Sequence, residues 1–242
     1  MAPGELASLR TRARRILAVF PHPDDESYGP AGTLHRIGRD PDAATVVYIM
    51  TRGEASSMGP ERGLDPEAVG DLREKRLEEV AGILGLDRLI VGGFPDGRLA
   101  RCDLGKLSAA IREVLDALRP QVVIGHDARG VNAHPDHIAT HWAIRHALLD
   151  RDPVRFAMLA YPAEVAEAIR PRLLFPTPEE EIDAVVELTE EEIEAKERCL
   201  EVHEAIVTLR EDGSPSRILR PPVERYDFLG EERIPPVDDL FG

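Results

Sequence analysis

Cysteine and basic residues are both scarce in this chain of 242 residues. Only Cys102 and Cys199 are present, without a C-x-x-C spacing, which excludes a disulfide framework and a thiolate zinc cluster. Lys and Arg number 30 against 45 Asp and Glu, and the formal net charge of −15 repels phosphate backbones and anionic lipid headgroups. Nucleic acid is therefore not an expected partner, and any bound metal must be held by histidine and carboxylate.

Long apolar runs are also missing. No window approaches a membrane span, and the N-terminal residues, which carry several arginines, lack the apolar stretch of a signal sequence. The sequence therefore predicts a cytoplasmic protein with no membrane span. The length suits a single α/β domain, which we assign to 1–242 with a core of about 15–205 and an irregular tail at 212–242, rich in Pro, Gly and charge.

Short β-rich apolar runs alternate with longer amphipathic ones, as in βαβ units around a parallel sheet. This alternation predicts a Rossmann-like three-layer α/β fold with a mostly parallel sheet. The strand candidates are 16–20, 45–50, 88–91, 121–125, 155–161 and 182–188. Apolar residues at helical spacing predict helices over 69–83, 104–118, 138–148 and about 189–205.

Four polar loops follow directly on strand candidates, at 21–32, 51–63, 94–103 and 126–136. In an open α/β sheet, ligands bind in the crevice beyond the carboxyl ends of the strands. We therefore expect these loops to meet at one end of the sheet and to form the site.

The first loop contains the run Pro21-His22-Pro23-Asp24-Asp25-Glu26. Three adjacent acidic residues repel one another unless a cation lies nearby, which favours a metal site. The alternative is an acidic helix N-terminus, in which the same carboxylates cap the helix and interact with its dipole. The run alone does not separate the two interpretations.

The fourth loop contains His134-Pro135-Asp136-His137 and leads into a helix. A hydrolytic zinc site needs three protein ligands and an open position for water, and His22, Asp25 and His137 supply that set. His141 follows four residues after His137, but no Glu completes an H-E-x-x-H motif, so we expect a surface or packing role for His141. Weaker candidates are His35, His126, His146 and His203.

The two motifs, His22 to Asp25 and His134 to His137, resemble in kind and order the signatures of the LmbE-like, or PIG-L, family of zinc-dependent N-acetylglucosaminyl deacetylases. Weaker agreement runs through the segments 51–54, 84–85 and 95–97, so the resemblance covers roughly 15–149. It implies Zn²⁺ bound by His22, Asp25 and His137. Asp24 would then be the general base, His134 would stabilise the oxyanion or protonate the departing amine, and Asp136 would orient His134.

The resemblance implies hydrolysis of an acetamide on an N-acetylglucosamine conjugate, a small-molecule partner, by a protein that could be a homo-oligomer. Arg52, Arg73 and Asp96 are candidates for substrate contact, although each could be a solvated loop charge and Asp96 a turn residue of Pro-Asp-Gly. The alternatives are the same site acting on another amide, such as a thiol conjugate or an acylated antibiotic, or a metal-binding module without turnover.

The chain departs from the family pattern at two places. Members commonly carry R-x-x-E-L, whereas this chain has Arg76 at the Glu position and so lacks the usual carboxylate there. Members often read H-x-S-Q near the C-terminus, whereas this chain has His203-Glu204-Ala205-Ile206, which weakens a catalytic role for His203.

Overall fold

The computed structural model describes residues 3–151, 153–168, 173–204 and 222–242. The strands are β1 Arg14–Phe20, β2 Ala43–Thr51, β3 Arg88–Phe94, β4 Val122–Gly125, β5 Arg155–Ala160, β6 Ala184–Glu187 and β7 Val223–Phe228. The helices are α1 Pro3–Ser8, α2 Asp25–Tyr28, α3 Ala31–Gly38, α4 Met58–Arg62, α5 Pro66–Leu84, α6 Leu104–Leu118, the single turn α7 Gly130–Ala133, α8 Pro135–Leu148, α9 Ala163–Ala168 and α10 Glu190–Val202. None of the helices in these ranges is long and apolar enough to cross a bilayer.

The strands form one sheet in the order β3-β2-β1-β4-β5-β7-β6. Strands β1 to β5 pair in parallel, and β7 lies antiparallel between β5 and β6. The order reverses direction at β1, where β2 lies on one side and β4 on the other. The predicted α/β fold with a mostly parallel sheet is confirmed, and the reversal places a ligand crevice beside β1 and β4.

Each face of the sheet has its own hydrophobic core. Along β1, Ile16, Ala18 and Phe20 join the core beneath α3, α5 and α10, while Leu17 and Val19 join the core beneath α6 and α8. This alternation is the two-residue period of a strand that is buried on both faces. The three layers predicted from the sequence are therefore present.

Local signals set the ends of the helices that cover the sheet. The Asp65 side chain accepts the Ala68 N–H at the start of α5, and Gly85 ends that helix in the left-handed conformation. Thr189 and Glu192 form the capping box that starts α10, as predicted. This helix ends at Val202, a little short of the predicted end at about 205. Residues 203 and 204 form a turn, and residue 205 lies outside the described residues.

One prediction about the outer elements was wrong. Residues 223–228 were assigned to an irregular tail, yet they form β7, with buried Glu224, Tyr226 and Phe228 alternating with less buried residues.

The helix predicted over 138–148 is present as part of α8, but its Trp142 is 46% exposed, and the Arg145 guanidinium stacks over the indole ring at 4.8 Å. A cation over an indole face stabilises an exposed ring without burial in the core.

Asp227 on β7 gives the fold a pH-dependent weakness. Burial, together with the charges of Asp183, Glu181 and Asp127, raises the pKa of Asp227 to about 6. Because the folded state binds this proton more tightly than the unfolded state, stability is lost as the pH rises from about 4 through about 6. We expect Asp227→Asn to raise the free energy of unfolding by about 1 kcal/mol at pH 8, after allowance for solvent screening, and by less at pH 4.

Urea unfolding of the wild type and the variant at the two pH values measures this difference. Asp238→Asn, at an exposed position of the same C-terminal segment, controls for the change in net charge. A gain in stability that is the same at pH 4 and pH 8 would contradict the prediction.

Candidate metal centre

The four predicted loops do meet at the carboxyl ends of the parallel strands. They border a cavity of about 370 Å³. Its lining residues are His22, Asp24, Asp25, Tyr28, Ala55, Ser56, Arg73, Asp96, Gly97, Asn132, His134 and His137. Each of the four loops, or the helix that follows it, contributes at least one of these side chains.

Asp25 lies between two imidazoles at the base of this cavity. Its Oδ2 atom is 3.5 Å from His22 Nδ1, and its Oδ1 atom is 3.5 Å from His137 Nε2. Two ligand atoms bound to one tetrahedral zinc at about 2.0–2.1 Å lie about 3.3 Å from each other. Each predicted ligand belongs to at least one set of residues whose ligand atoms converge, but none of these sets among the described residues contains all three. The sets are His22-His134-His137, Asp25-His126-His137 and His22-Asp96-Asp136.

Backbone contacts hold these three residues in place. His137 Nδ1 donates to the Gly130 carbonyl oxygen at 3.1 Å, which leaves Nε2 to face Asp25. Gly130 has φ +63°, and a Cβ atom there would lie 2.9 Å from the Cβ of His137, so this close approach requires glycine. Asp25 Oδ2 accepts the His22 N–H at 3.0 Å, a local hydrogen bond that fixes the Asp25 carboxylate relative to the loop backbone.

The protonation of the three residues bears on metal binding. Although burial opposes ionisation, the His137 and His126 imidazoles hold the pKa of Asp25 well below its usual range, so this carboxylate is ionised. Burial lowers the pKa of His137 and favours the neutral ring. Against burial, three carboxylates raise the pKa of His22, whose proton a bound cation would displace.

His126 lies closer to this group than its weak sequence signal indicates. Its ring stacks on that of His137, with a centroid distance of 3.9 Å and an interplanar angle of 4°. His126 Nε2 is 3.7 Å from Asp25 Oδ1. His126, Asp25 and His137 therefore form one of the groups that could hold a metal. The signal for His126 was its position at the carboxyl end of β4, in the same loop as the second motif.

Asp24 adopts an unusual backbone conformation beside the metal group, with φ 114°. Its carbonyl oxygen accepts the N–H groups of Ser27 and Tyr28 at 2.9 Å, but its carboxylate makes no capping hydrogen bond to α2. The carboxylate borders the cavity and lies 3.0 Å from Arg73 Nη2. Burial raises the pKa of Asp24 to about 7, although the Arg73 charge opposes this shift. The helix-capping interpretation of this side chain is therefore not what the structure favours.

His134 borders the same cavity and is in ring contact with His22 and His137, at centroid distances of 4.7 and 4.8 Å. The Asp136 N–H donates to His134 Nδ1 at 3.2 Å, so a neutral ring carries its proton on Nε2. Burial lowers the pKa of His134, which favours that neutral form. His134 can therefore present a proton donor at the cavity.

Asp136 contacts His134 through its backbone N–H, while its carboxylate has other partners. Asp136 Oδ1 accepts the Leu99 N–H at 2.9 Å, and Oδ2 is 3.5 Å from His22 Nε2. Asp96 Oδ1 lies 3.3 Å from the same nitrogen, while Asp96 Oδ2 accepts the Ala55 N–H at 2.8 Å. Both carboxylates are thus partners of His22.

The two candidate arginines differ in position. Arg73 is buried, borders the cavity, and donates to the carbonyl oxygens of Gly53 and Pro23 as well as to Asp24. Arg52 does not border the cavity. Its guanidinium pairs with three carboxylates at the start of α5, those of Glu67, Asp71 and Glu74. The structure brings Arg73 to the site and leaves Arg52 outside it.

Comparison with known proteins decides the family. The PIG-L family, described as GlcNAc-PI de-N-acetylase, matches residues 17–148, which is more than half of the chain and contains the whole metal group. The chain belongs to the PIG-L family. Similar proteins include a 1D-myo-inositol 2-acetamido-2-deoxy-alpha-D-glucopyranoside deacetylase of Kineococcus radiotolerans, 34% identical over 68% of this chain and 54% of that protein.

Other relatives agree with membership of the PIG-L family. A probable N-acetyl-alpha-D-glucosaminyl L-malate deacetylase 2 of Bacillus anthracis is 36% identical over 56% of this chain and 59% of that protein. This PIG-L chain therefore matches just over half the length of these two curated relatives. A conserved protein of Thermus thermophilus is 30% identical, with a TM-score of 0.55 and 78% of each chain covered. A deacetylase of teicoplanin biosynthesis, solved with teicoplanin, is 17% identical with a TM-score of 0.66, which shows the fold alone.

Proposed function

We propose that this PIG-L chain hydrolyses the acetamide of an N-acetylglucosamine conjugate, with Zn²⁺ held by His22, Asp25 and His137. The observation that carries the proposal is the Asp25 carboxylate, whose two oxygens each face one imidazole at 3.5 Å. The neighbouring Asp24 is not a ligand in this arrangement and borders the open cavity. One carboxylate is thus available to hold the ion and another to handle a proton.

Bound zinc would acidify a water molecule and polarise a carbonyl group. Asp24 would accept the proton of the attacking water, and Arg73 would hold its carboxylate in position through the 3.0 Å contact. The Nε2–H of His134 would donate to the developing oxyanion or to the departing nitrogen. The C–N bond breaks, and acetate and a free amine leave.

The substrate class is supported by the cavity and by the names of the relatives. A volume of about 370 Å³ with mainly polar side chains suits a sugar better than an apolar ligand. The two curated relatives described above carry names that specify an acetamido sugar joined to inositol or malate. Assembly into a homo-oligomer stays a prediction, which light scattering of the purified protein would measure.

We expect the zinc-loaded protein to release acetate from N-acetylglucosamine joined to a small polar or acidic group faster than from free N-acetylglucosamine. Binding of the remote group can lower the barrier as well as tighten binding, so kcat/KM is the quantity to compare. Removal of the metal with a chelator should abolish release, and added Zn²⁺ should restore it.

The same assay separates the alternatives. If the zinc-loaded protein cleaves a non-sugar acetamide but none of the conjugates, the hydrolase part of the proposal stands and the sugar part is wrong. If it binds zinc stoichiometrically but releases acetate from no substrate, the chain is a metal-binding module.

A further inference from the structure

A buried pair of hydrogen-bonded side chains, His203 and Glu26, lies outside the lining of the cavity. His203 Nε2 is 2.7 Å from Glu26 Oε1, and the two side chains are 2% and 1% exposed. Glu26 belongs to α2, and His203 caps the C-terminal end of α10. Neither side chain borders the cavity, so neither is placed to touch a substrate.

Glu26 connects this pair to the backbone of Asp24. One carboxylate oxygen, Oε1, accepts from His203 and from Ser27 Oγ at 2.6 Å. The other oxygen, Oε2, accepts the Asp24 N–H at 3.0 Å. A buried carboxylate is costly unless its oxygens are satisfied, and here one of its partners is the backbone of Asp24.

The conformation of Asp24 needs such support. Its φ of 114° lies in a region that residues with a Cβ atom rarely adopt. On one side of the residue Glu26 accepts its N–H, and on the other side its carbonyl oxygen starts α2. Surrounding structure must determine such a conformation for it to persist.

Arg76 contacts the backbone of His203, at the end of this chain of hydrogen bonds that lies farthest from Asp24. Its Nη1 atom donates to the His203 carbonyl oxygen at 3.1 Å, and its Nη2 atom is 2.6 Å from Glu204 Oε1. Arg62 at the end of α4 also pairs with Glu204. Arg76, where this chain departs from the family pattern on α5, therefore contacts the end of α10 at which His203 faces Glu26.

We propose that His203 is a positioning residue: through Glu26 it holds the backbone of Asp24 in the left-handed conformation that directs the Asp24 carboxylate into the cavity. The proposal rests on the proposed function, in which Asp24 is the general base. The competing explanation is that the imidazole only fills space between α10 and α2.

Two substitutions separate hydrogen bonding from packing. His203→Gln keeps an N–H donor near the position of Nε2, whereas His203→Leu keeps much of the volume but has no donor. We expect the Gln variant to stay close to wild type and the Leu variant to lose about 10–100-fold in kcat, because a small misplacement of a catalytic group has effects of that order. KM and bound zinc should change little in either variant.

A matched control is available at another buried histidine. His35 on α3 is 4% exposed and donates through Nδ1 to the Ile83 carbonyl oxygen at 2.9 Å, away from the cavity lining. His35→Leu should leave kcat unchanged even if stability falls. Equal kcat values for His203→Leu and His203→Gln would overturn the proposal. If His203→Leu does not fold, Glu26→Gln replaces it in the experiment. The Gln side chain can accept hydrogen bonds only through its oxygen, so it cannot serve both His203 and the Asp24 N–H, and this variant should also lower kcat.

The decisive comparison places His203→Leu in an Asp24→Asn background. If His203 acts through the base, its loss should lower kcat by no more than about twofold once the base is gone, because the effects of residues that act as a unit are not additive. A loss as large as in the wild-type background would refute positioning and leave the proposed function intact. If Asp24→Asn alone keeps full activity, the assignment of Asp24 as general base fails, and positioning through Asp24 fails with it. If the wild type releases no acetate from any conjugate, the proposed function fails instead.

Discussion

Replacement of Asp24 by asparagine is expected to lower kcat by about 10²–10⁴-fold, the usual contribution of a general base, while bound metal stays stoichiometric. Asn has the shape of Asp and tolerates positive φ, so the loop should keep its conformation. Only the proton acceptor and the contact with Arg73 change. Acetate release under steady-state conditions and elemental analysis of the same sample measure the two quantities.

Asp65→Asn provides the matched control for this experiment. Asp65 caps α5 through its side chain, so it performs the role that Asp24 would have under the capping interpretation. Its replacement should leave kcat close to wild type, since Asn is also a good capping residue. A loss of only a few fold in Asp24→Asn would mean that this carboxylate is not the base.

Asp25→Ala and His137→Ala are each expected to lose stoichiometric zinc and, with it, turnover. Three protein ligands are the usual number for a hydrolytic zinc, so removal of one leaves a site with two. Asp25 should have the larger effect, because it is the residue that both His22 and His137 face. Elemental analysis after extensive dialysis gives the metal content of each variant.

His141→Asn is the control for the loss of a buried imidazole near the centre. His141 is fully buried, and its Nδ1 donates to the His126 carbonyl oxygen at 2.9 Å, a bond that Asn can reproduce. This variant should keep its zinc. Full metal content in either Asp25→Ala or His137→Ala would remove that residue from the ligand set and direct attention to His126 or His134, which also lie in candidate groups.

The sequence predicted the parallel part of the sheet and the place of the site because both depend on local pattern. Strands buried on two faces are continuous apolar runs, and the rule for α/β sheets then brings the loops after β1 and β4 together. These positions alone predict that His22, Asp25 and His137 border one cavity, and all three do. How they are oriented required the Gly130 contact, which no local pattern indicates.

The features that the sequence did not predict depend on partners far along the chain. β7 carries Glu224 on its buried face, where its carboxylate is satisfied by Lys196 of α10 at 2.6 Å and by the N–H groups of Gly32 and Thr33. Arg52 was expected at the site from its loop, but the acidic residues of α5 bind its guanidinium. The contact of His203 with Glu26 likewise joins residues from opposite ends of the sequence.

The position of β7 has a consequence for how the protein is made. Ala157 to Ala160 of β5 pair with Arg225 to Phe228, so this edge of β5 has no partner in the sheet until residues 225–228 have been synthesised. An unpaired strand edge is a template for pairing with other chains, and contacts between distant residues form slowly. Premature termination before residue 222 should therefore give an aggregation-prone product, even though this shortened chain contains every predicted metal ligand.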